Sequence, residues 1–311
     1  MFDIFGVSVL VGLAALFGWL TRRAWQTNHP VLKWSGAVFA GLLTFVFTAA
    51  VAAALLGYAK LNRKHDNPAS LVSVEVTPER IAKGERFASL CAGCHAADES
   101  PPLEGKFFLE DAPPIGRFYA PNLTPIHLGE WTDGEIIRAI REGVHRSGRS
   151  LLIMPSTTFR HLSDEDVHAI VAYLRSQPPI GPDTPTNRLN VLGALVANIA
   201  PIFEVQPPIT APIVAPPAGP TAAHGEYLAS WACAACHGAD LAGEIAFGAP
   251  GLAAAGQFWT EEHFIHFIRS GERPSGPPVD AELMPWEDLS EFFTDDDELR
   301  AIFAHLGTVG G

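Results

Sequence analysis

Two uncharged apolar runs open the chain, and shorter amphipathic segments follow them. Ile4–Leu20 is 17 residues long and Ser35–Tyr58 is 24. The second can cross the hydrocarbon core of a bilayer as one helix, and the first stands at the short limit. A cleaved leader would need a basic region before its apolar stretch and small residues after it. Met1-Phe2-Asp3 is acidic and no such site precedes Arg22, so both runs are expected to be retained as spans. Arg22, Arg23 and Lys33 lie between them, and Lys60, Arg63 and Lys64 follow the second. The positive-inside rule therefore gives a tie, with Trp19, Trp34 and Tyr58 placed as interfacial aromatics.

Beyond residue 60 the polar–apolar spacing turns helical. Thr77 is an N-cap with Pro78 at the first helical position. Thr132 and Glu135 form a capping box for a helix reaching about Gly143. Ser163 and Asp166 cap a helix that carries Val167, Ile170, Val171 and Leu174 at helical spacing. Residues 96–121 are rich in Pro and Gly and read as a loop wrapped around something large. Ser176–Pro220 is a proline-rich linker. Within it Val191–Phe203 is apolar but too short to span, and is expected to pack on a neighbouring domain or graze the membrane. The second half repeats the first. Trp131-Thr132, Arg141, Gly143 and Ser147-Gly148 return 128 positions later as Trp259-Thr260, Arg269, Gly271 and Ser275-Gly276. The pattern gives an all-α chain. Residues 1–60 form an anchor with two transmembrane helices, 76–177 a first helical domain, 178–220 a linker and 221–311 a second domain.

The chemistry lies in two pentads, Cys91-Ala92-Gly93-Cys94-His95 and Cys233-Ala234-Ala235-Cys236-His237. C-x-x-C-H is the attachment signature of c-type haem. Two thiols one helical turn apart reach the two vinyl groups of one porphyrin, and the adjacent histidine lies under the iron. Disulfides or a four-thiolate zinc site would use the same four cysteines, but neither explains a histidine after each pair. Two covalently attached haem c groups are expected, held by Cys91, Cys94 and His95 and by Cys233, Cys236 and His237. Apart from Met1 the chain has two methionines, Met154 and Met284, each followed by proline and one in each repeat. A thioether suits haem iron and raises its potential, so both are candidate sixth ligands. His127, His145 and His161, and His263, His266 and His305 in the second half, stand as rival ligands. His168, His263 and His305 fall on expected helices.

Net charge is -13, which argues against nucleic acid, and against an anionic membrane surface as the main partner. The charge is uneven. Residues 79–177 carry 11 basic and 14 acidic side chains, net -3, whereas residues 221–311 carry 3 and 15, net -12. The acids near Met284 suggest that the second domain docks a basic redox partner. Asp295–Asp297 has a plainer reading as a helix start. No nucleophile triad, nucleotide-binding glycine pattern or P-loop is present, and Gly248-Ala249-Pro250-Gly251 reads as a simple turn.

The pentads, the downstream Met-Pro pairs and a closing helix in each half resemble the class I cytochrome c family over residues 76–177 and 221–309. The segment Ala120-Pro121-Asn122-Leu123-Thr124-Pro125, with Trp131, Arg141-Glu142-Gly143 and Met154-Pro155, is similar to the haem domains of membrane-bound dehydrogenase cytochrome c subunits. Those subunits usually carry three haems, and this chain has two pentads. The resemblance implies a few helices around each haem, the first and last crossing near the attachment site. Gly84 and Phe87 would meet Tyr173 there, and Gly225 and Leu228 would meet Phe303. Such haems are attached outside the cytoplasm, which breaks the charge tie. Both haem domains would then stand on the periplasmic face of a bacterial inner membrane. The expected role is electron transfer between a quinol-oxidising or dehydrogenase partner and a periplasmic or oxidase acceptor, without catalysis by this chain alone. Two other readings are a subunit of a larger membrane oxidoreductase or terminal oxidase, and a di-haem peroxidase. Domain one is expected as the inner relay, with domain two held off by the proline linker.

Overall fold

The computed structural model describes residues 3–98, 100–108, 115–200, 204–245 and 248–309. Two antiparallel helices, α1 (Ile4–Trp25) and α2 (Pro30–Asn62), form the N-terminal hairpin. Asp3 caps α1 through the Gly6 N–H at 2.9 Å. Phe17 stacks on Phe47, and Trp25 meets Trp34 edge-on beside the Lys33 ammonium. Both helices are long and apolar enough to cross a membrane. At 33 residues, α2 is about 50 Å long, well beyond a hydrocarbon core of about 30 Å.

The first domain opens with α3 (Pro78–His95), capped by Thr77 and running unbroken through the first pentad. Strands β1 (Lys106–Phe108) and β2 (Gly116–Ala120) pair antiparallel inside the stretch expected to be irregular; Glu99 and residues 109–114 of that stretch lie outside the described residues. Helices α4 (Pro125–Leu128), α5 (Asp133–Glu142), α6 (Ser156–Phe159) and α7 (Asp164–Ser176) follow. The Thr132–Glu135 capping box is complete, Gly143 ends α5 at φ 69°, and Ser163 caps α7. Helix α3 crosses α7 at Gly84, where a Cβ would overlap the Ala169 carbonyl and the Tyr173 side chain. That crossing is the one the resemblance implies.

The described residues of the linker are built into the fold. Strand β3 (Arg188–Leu189) adds to β2, and helix α8 (Val191–Val196) packs on α2. A Cβ on Gly57 would overlap the Ala194 carbonyl, so only glycine lets these helices meet. Asn198 donates to the Ala53 carbonyl at 2.9 Å. The apolar segment expected at 191–203 thus joins the hairpin to the first domain, with residues 201–203 outside the described residues. Further on, the buried Glu142 carboxylate accepts from Asn67 at 2.7 Å and from the Ile209 N–H at 2.9 Å, which straps the linker along the domain.

The second domain comprises α9 (Ala222–Ala232), α10 (Ala234–His237), strands β4 (Gly243–Glu244) and β5 (Ala249–Pro250), then α11 (Ala253–Phe258), α12 (Glu261–Ser270), α13 (Trp286–Phe292) and α14 (Asp296–Leu306). Here the pentad helix is broken at Cys233, between α9 and α10. Helix α9 crosses α14 at Gly225, whose missing Cβ makes room for Ala301; the Phe303 ring lies against Phe264. The repeated arginines do the same work twice. Arg141 donates to Asp164 and to the Leu162 carbonyl; Arg269 donates to Asp296 and to the Ser290 carbonyl. Each ties the capped helix to the start of the closing helix.

The two domains are not held apart as the linker suggested. Phe87, Trp231 and Phe292 pack with ring centroids 5.1 to 5.6 Å apart. Arg86 lies over the Phe292 ring and bonds Glu298 at 2.8 Å. The Tyr227 hydroxyl donates to Asp166, and the Ser163 N–H donates to the Tyr227 oxygen at 2.9 Å. One apolar core runs through both domains, so they should unfold together. Trp231→Ala removes the shared centre, at a cost of about 3–5 kcal/mol. Calorimetry should then resolve two transitions where the parent protein shows one.

Candidate haem centres

Each pentad histidine is fixed by one hydrogen bond. His95 Nδ1 lies 2.8 Å from the Pro121 carbonyl oxygen, and His237 Nδ1 lies 2.7 Å from that of Pro250. A carbonyl only accepts, so Nδ1 carries the proton in both rings. Nε2 then keeps its lone pair, the state an iron ligand needs. Burial holds His95 below the usual imidazole range, partly offset by the Pro121 bond. The loops presenting the two carbonyls are built alike. Leu123 N–H donates to Leu103 and Leu252 N–H to Leu241, both at 2.8 Å. In the first domain Asn122, fully buried, pins its loop by donating to the Ile180 and Pro182 carbonyls of the linker.

None of the four cysteines is in a disulfide. Burial pushes the Cys91 and Cys233 thiols up to about 12, with the paired cysteine adding to the shift. Cys236 is raised by burial of its thiol, although the residue as a whole is exposed. Both methionines sit at matching turns. Pro155 (φ -78°, ψ 53°) and Pro285 (φ -75°, ψ 61°) each centre an inverse γ-turn. The residue after the proline donates back to the methionine carbonyl, at 2.8 Å for Met154 and 2.7 Å for Met284. Proline supplies the fixed φ that this turn needs. Ile153, just before Met154, has φ 67°, a conformation that strains a β-branched residue.

In the first domain these groups converge. A cavity of about 310 Å3 is walled by Cys91, Cys94 and His95, with Met154, Leu128, Trp131, Ile140 and Leu174 among its other lining side chains. Leu61 and Asn62 from the end of α2, together with Arg149, complete the wall. Two thiols, an imidazole with a free lone pair, a thioether and a greasy enclosure fit a c-type haem. Two rival ligands, His127 and His145, line the same cavity, whereas His161 and His168 are not on its wall. His127 is held at Nδ1 by Asp183 at 2.7 Å. His145 packs edge-on against Trp131, and its Nδ1 faces the Ser147 hydroxyl and N–H. In the second domain Met284 is half-buried against the core, while His263 and His266 are exposed. His266 is engaged with Glu272 at 3.0 Å.

Residues 81–178 match the family described as cytochrome c, and residues 220–306 match the cbb3-type cytochrome c oxidase subunit III family. The chain belongs to the cytochrome c family, with two haem domains. It is 30% identical over 272 residues to one subunit of the nicotinate dehydrogenase of Pseudomonas putida, covering 74% of this chain and 21% of that protein. It is 31% identical over 173 residues to the cytochrome c subunit of a quinone alcohol dehydrogenase of Gluconobacter oxydans, covering 50% and 34%. It is 25% identical over 251 residues to the fructose dehydrogenase cytochrome subunit of Gluconobacter japonicus, covering 67% and 50%. The cytochrome therefore spans between a fifth and a half of the length of these relatives.

Pro250 was the residue that sequence reasoning passed over. Gly248–Gly251 reads as a turn, yet its proline carbonyl orients the second histidine. The signal was present: Ala120-Pro121-Asn122-Leu123 returns as Ala249-Pro250-Gly251-Leu252. The acids sort themselves too. Asp296, Asp297 and Glu298 are taken up by Arg269, Arg300 and Arg86, while Glu282, Glu287 and Glu291, close to Met284 in the sequence, are exposed.

The environment of His145 predicts an acid-sensitive fold. Burial, then Arg149 and the neighbouring cations, lowers it from 6.5 to about 4. The unfolded chain takes up this proton below pH 6.5 and the folded protein does not. Stability is therefore intact above about 6.5 and is lost as pH falls toward 4. His145→Gln should flatten the fall in Tm across that window, measured by thermal melts at stepped pH.

Proposed function

We propose that this cytochrome carries two covalently attached haem c groups and relays electrons for a dehydrogenase partner at a membrane. The observation that carries the reading is the donor set repeated in both domains, a C-x-x-C-H pentad with Nδ1 committed to a proline carbonyl and a methionine on a proline-centred turn. Cys91 and Cys94, and Cys233 and Cys236, hold the haems as thioethers. His95 with Met154, and His237 with Met284, would hold the iron of each haem. Bound haem supplies a one-electron iron couple, whose potential a His/Met pair raises. The chain's own residues do the rest. The Pro121 and Pro250 carbonyls fix the imidazole tautomer, the apolar wall of the first cavity excludes water, and Arg149 on that wall would offer its positive charge to an acidic group of a bound haem.

The apolar hairpin, with Phe5, Val31, Phe45 and Leu56 exposed, supports insertion in a bacterial inner membrane with both domains on the periplasmic side. Leu61 and Asn62 of α2 at the first cavity support domain one as the inner relay. The acids around Met284 support docking of a basic acceptor on domain two. The names of the relatives favour a second form of the reading, in which this chain is a stable subunit of a dehydrogenase complex. Purification from membranes in mild detergent separates the two forms, since a stable subunit brings its dehydrogenase along.

Three outcomes follow. A haemochrome assay should find two haems per chain, falling to one in the Cys91→Ser/Cys94→Ser variant. Met154→Ala and Met284→Ala should each remove about half of the weak far-red band of thioether-ligated ferric haem; a band unchanged in either variant removes that ligand assignment. Electron transfer to a basic cytochrome should slow about tenfold between low and high ionic strength, and Glu287→Gln should weaken that dependence.

A further inference from the structure

One edge of domain one holds a pair of like charges with no counter-charge among the described residues. Strands β2 and β3 pair antiparallel with Arg117 directly opposite Arg188. Side chains alternate across a strand. Phe118 and Leu189 turn inward to the small core around Leu61, so both guanidinium groups turn outward, and both residues are exposed. Residues opposed in this way have their Cβ atoms about 5 Å apart, and like charges there destabilise the sheet. Among the described residues neither arginine side chain has a hydrogen bond or an ion pair. Among the described residues, Asp3, beside Val191, is engaged in capping α1.

The position of the pair adds a second, independent observation. Tyr58 ends the apolar run of α2, and its hydroxyl donates to the carbonyl of Leu189, the neighbour of Arg188. Three residues past Arg188 begins α8, which lies against α2; Leu192 of this helix and Ile199 just beyond it are exposed at 44% and 84%. Apolar side chains on the outside of a short helix beside a membrane exit are those of a helix lying in the interface. With the hairpin in a bilayer, an arginine pair at its start would stand at the depth of lipid phosphates.

We infer that Arg117 and Arg188 form a binding site for the phosphate of an anionic phospholipid headgroup, with Leu192 and Ile199 against its acyl chains. Two guanidinium forks converge on one phosphate, which accepts from both and cancels their repulsion. The chain's net charge of -13 does not oppose this, because the excess acid lies in residues 221–311, away from the anchor. The inference rests on the membrane-anchored reading of the hairpin.

The test uses the full chain with its haems, purified in a neutral detergent. Phosphatidylglycerol should raise the parent Tm by several degrees and phosphatidylcholine should not. The Arg117→Gln/Arg188→Gln variant should lose most of that rise. Without lipid its Tm should equal or exceed the parent's, because the like-charge contact is gone. Arg146→Gln, whose guanidinium pairs with Glu130, should keep the full response. Native mass spectrometry should show phosphatidylglycerol retained on the parent and lost from the double variant. An equal rise in parent and double variant, an equal rise with phosphatidylcholine, or the same rise from inorganic phosphate alone would overturn the site. Alkaline extraction of membranes carrying the parent and the double variant tests anchoring separately. A chain that washes off in both cases defeats the anchored reading, whereas a chain retained in both leaves the lipid measurements to decide the site.

Discussion

A histidine at the end of a helix turns freely about two torsions until its Nδ1–H finds an acceptor. In both halves of this chain the acceptor is a proline carbonyl, and much of each domain exists to bring that carbonyl beneath the pentad. The chain must leave the helix, loop outward and return within hydrogen-bonding distance. In the first domain the return is made by β1 and β2 and pinned by Asn122. In the second it is made by the two short strands β4 and β5, 13 residues after His237. Proline suits the place because it donates nothing and leaves its carbonyl in a fixed direction. The glycine crossings at Gly84 and Gly225 serve the same end, by pressing the closing helix onto the pentad helix.

The two domains share this frame and differ in what surrounds it. Domain one is built into the N-terminal hairpin. The end of α2 forms part of its cavity wall, and α8 and the linker strap it from two sides. Domain two has few basic residues, and one of its acids, Glu298, reaches across to Arg86. The aromatic group of Phe87, Trp231 and Phe292 sits where the two pentad helices approach, with Phe87 four residues before Cys91 and Trp231 two before Cys233. A duplicated module has thus kept its ligand frame and used its surface to bind its own copy.

Local chemistry was legible in the sequence and encounters between distant segments were not. Thr77, Thr132 with Glu135, and Ser163 cap helices where the spacing said they would, because a cap depends on residues three or four apart. The pentads and the Met-Pro turns could be read for the same reason. The proline-rich linker misled. Proline content predicts an extended chain but says nothing about whether polar groups such as Glu142 and Asn67 wait to bind it. Trp231 and Phe87 look like ordinary core positions in a single domain, and only the packing of two domains reveals them as one cluster. Pro250 was hidden because the bond it makes spans two different loop lengths in the two repeats.

Helix α2 runs without a break from the Pro30 end of the hairpin to the wall of the first cavity. A soluble domain on a flexible tether samples a hemisphere above the membrane and can swing between donor and acceptor. A domain whose wall is the last turn of a long apolar helix cannot swing relative to that helix. With the hairpin in a bilayer, the height and tilt of the first centre would be those of the helix. Redox exchange with a partner in the same membrane would then be a two-dimensional search between surfaces at matching height, with the length of one helix setting the level of the first centre.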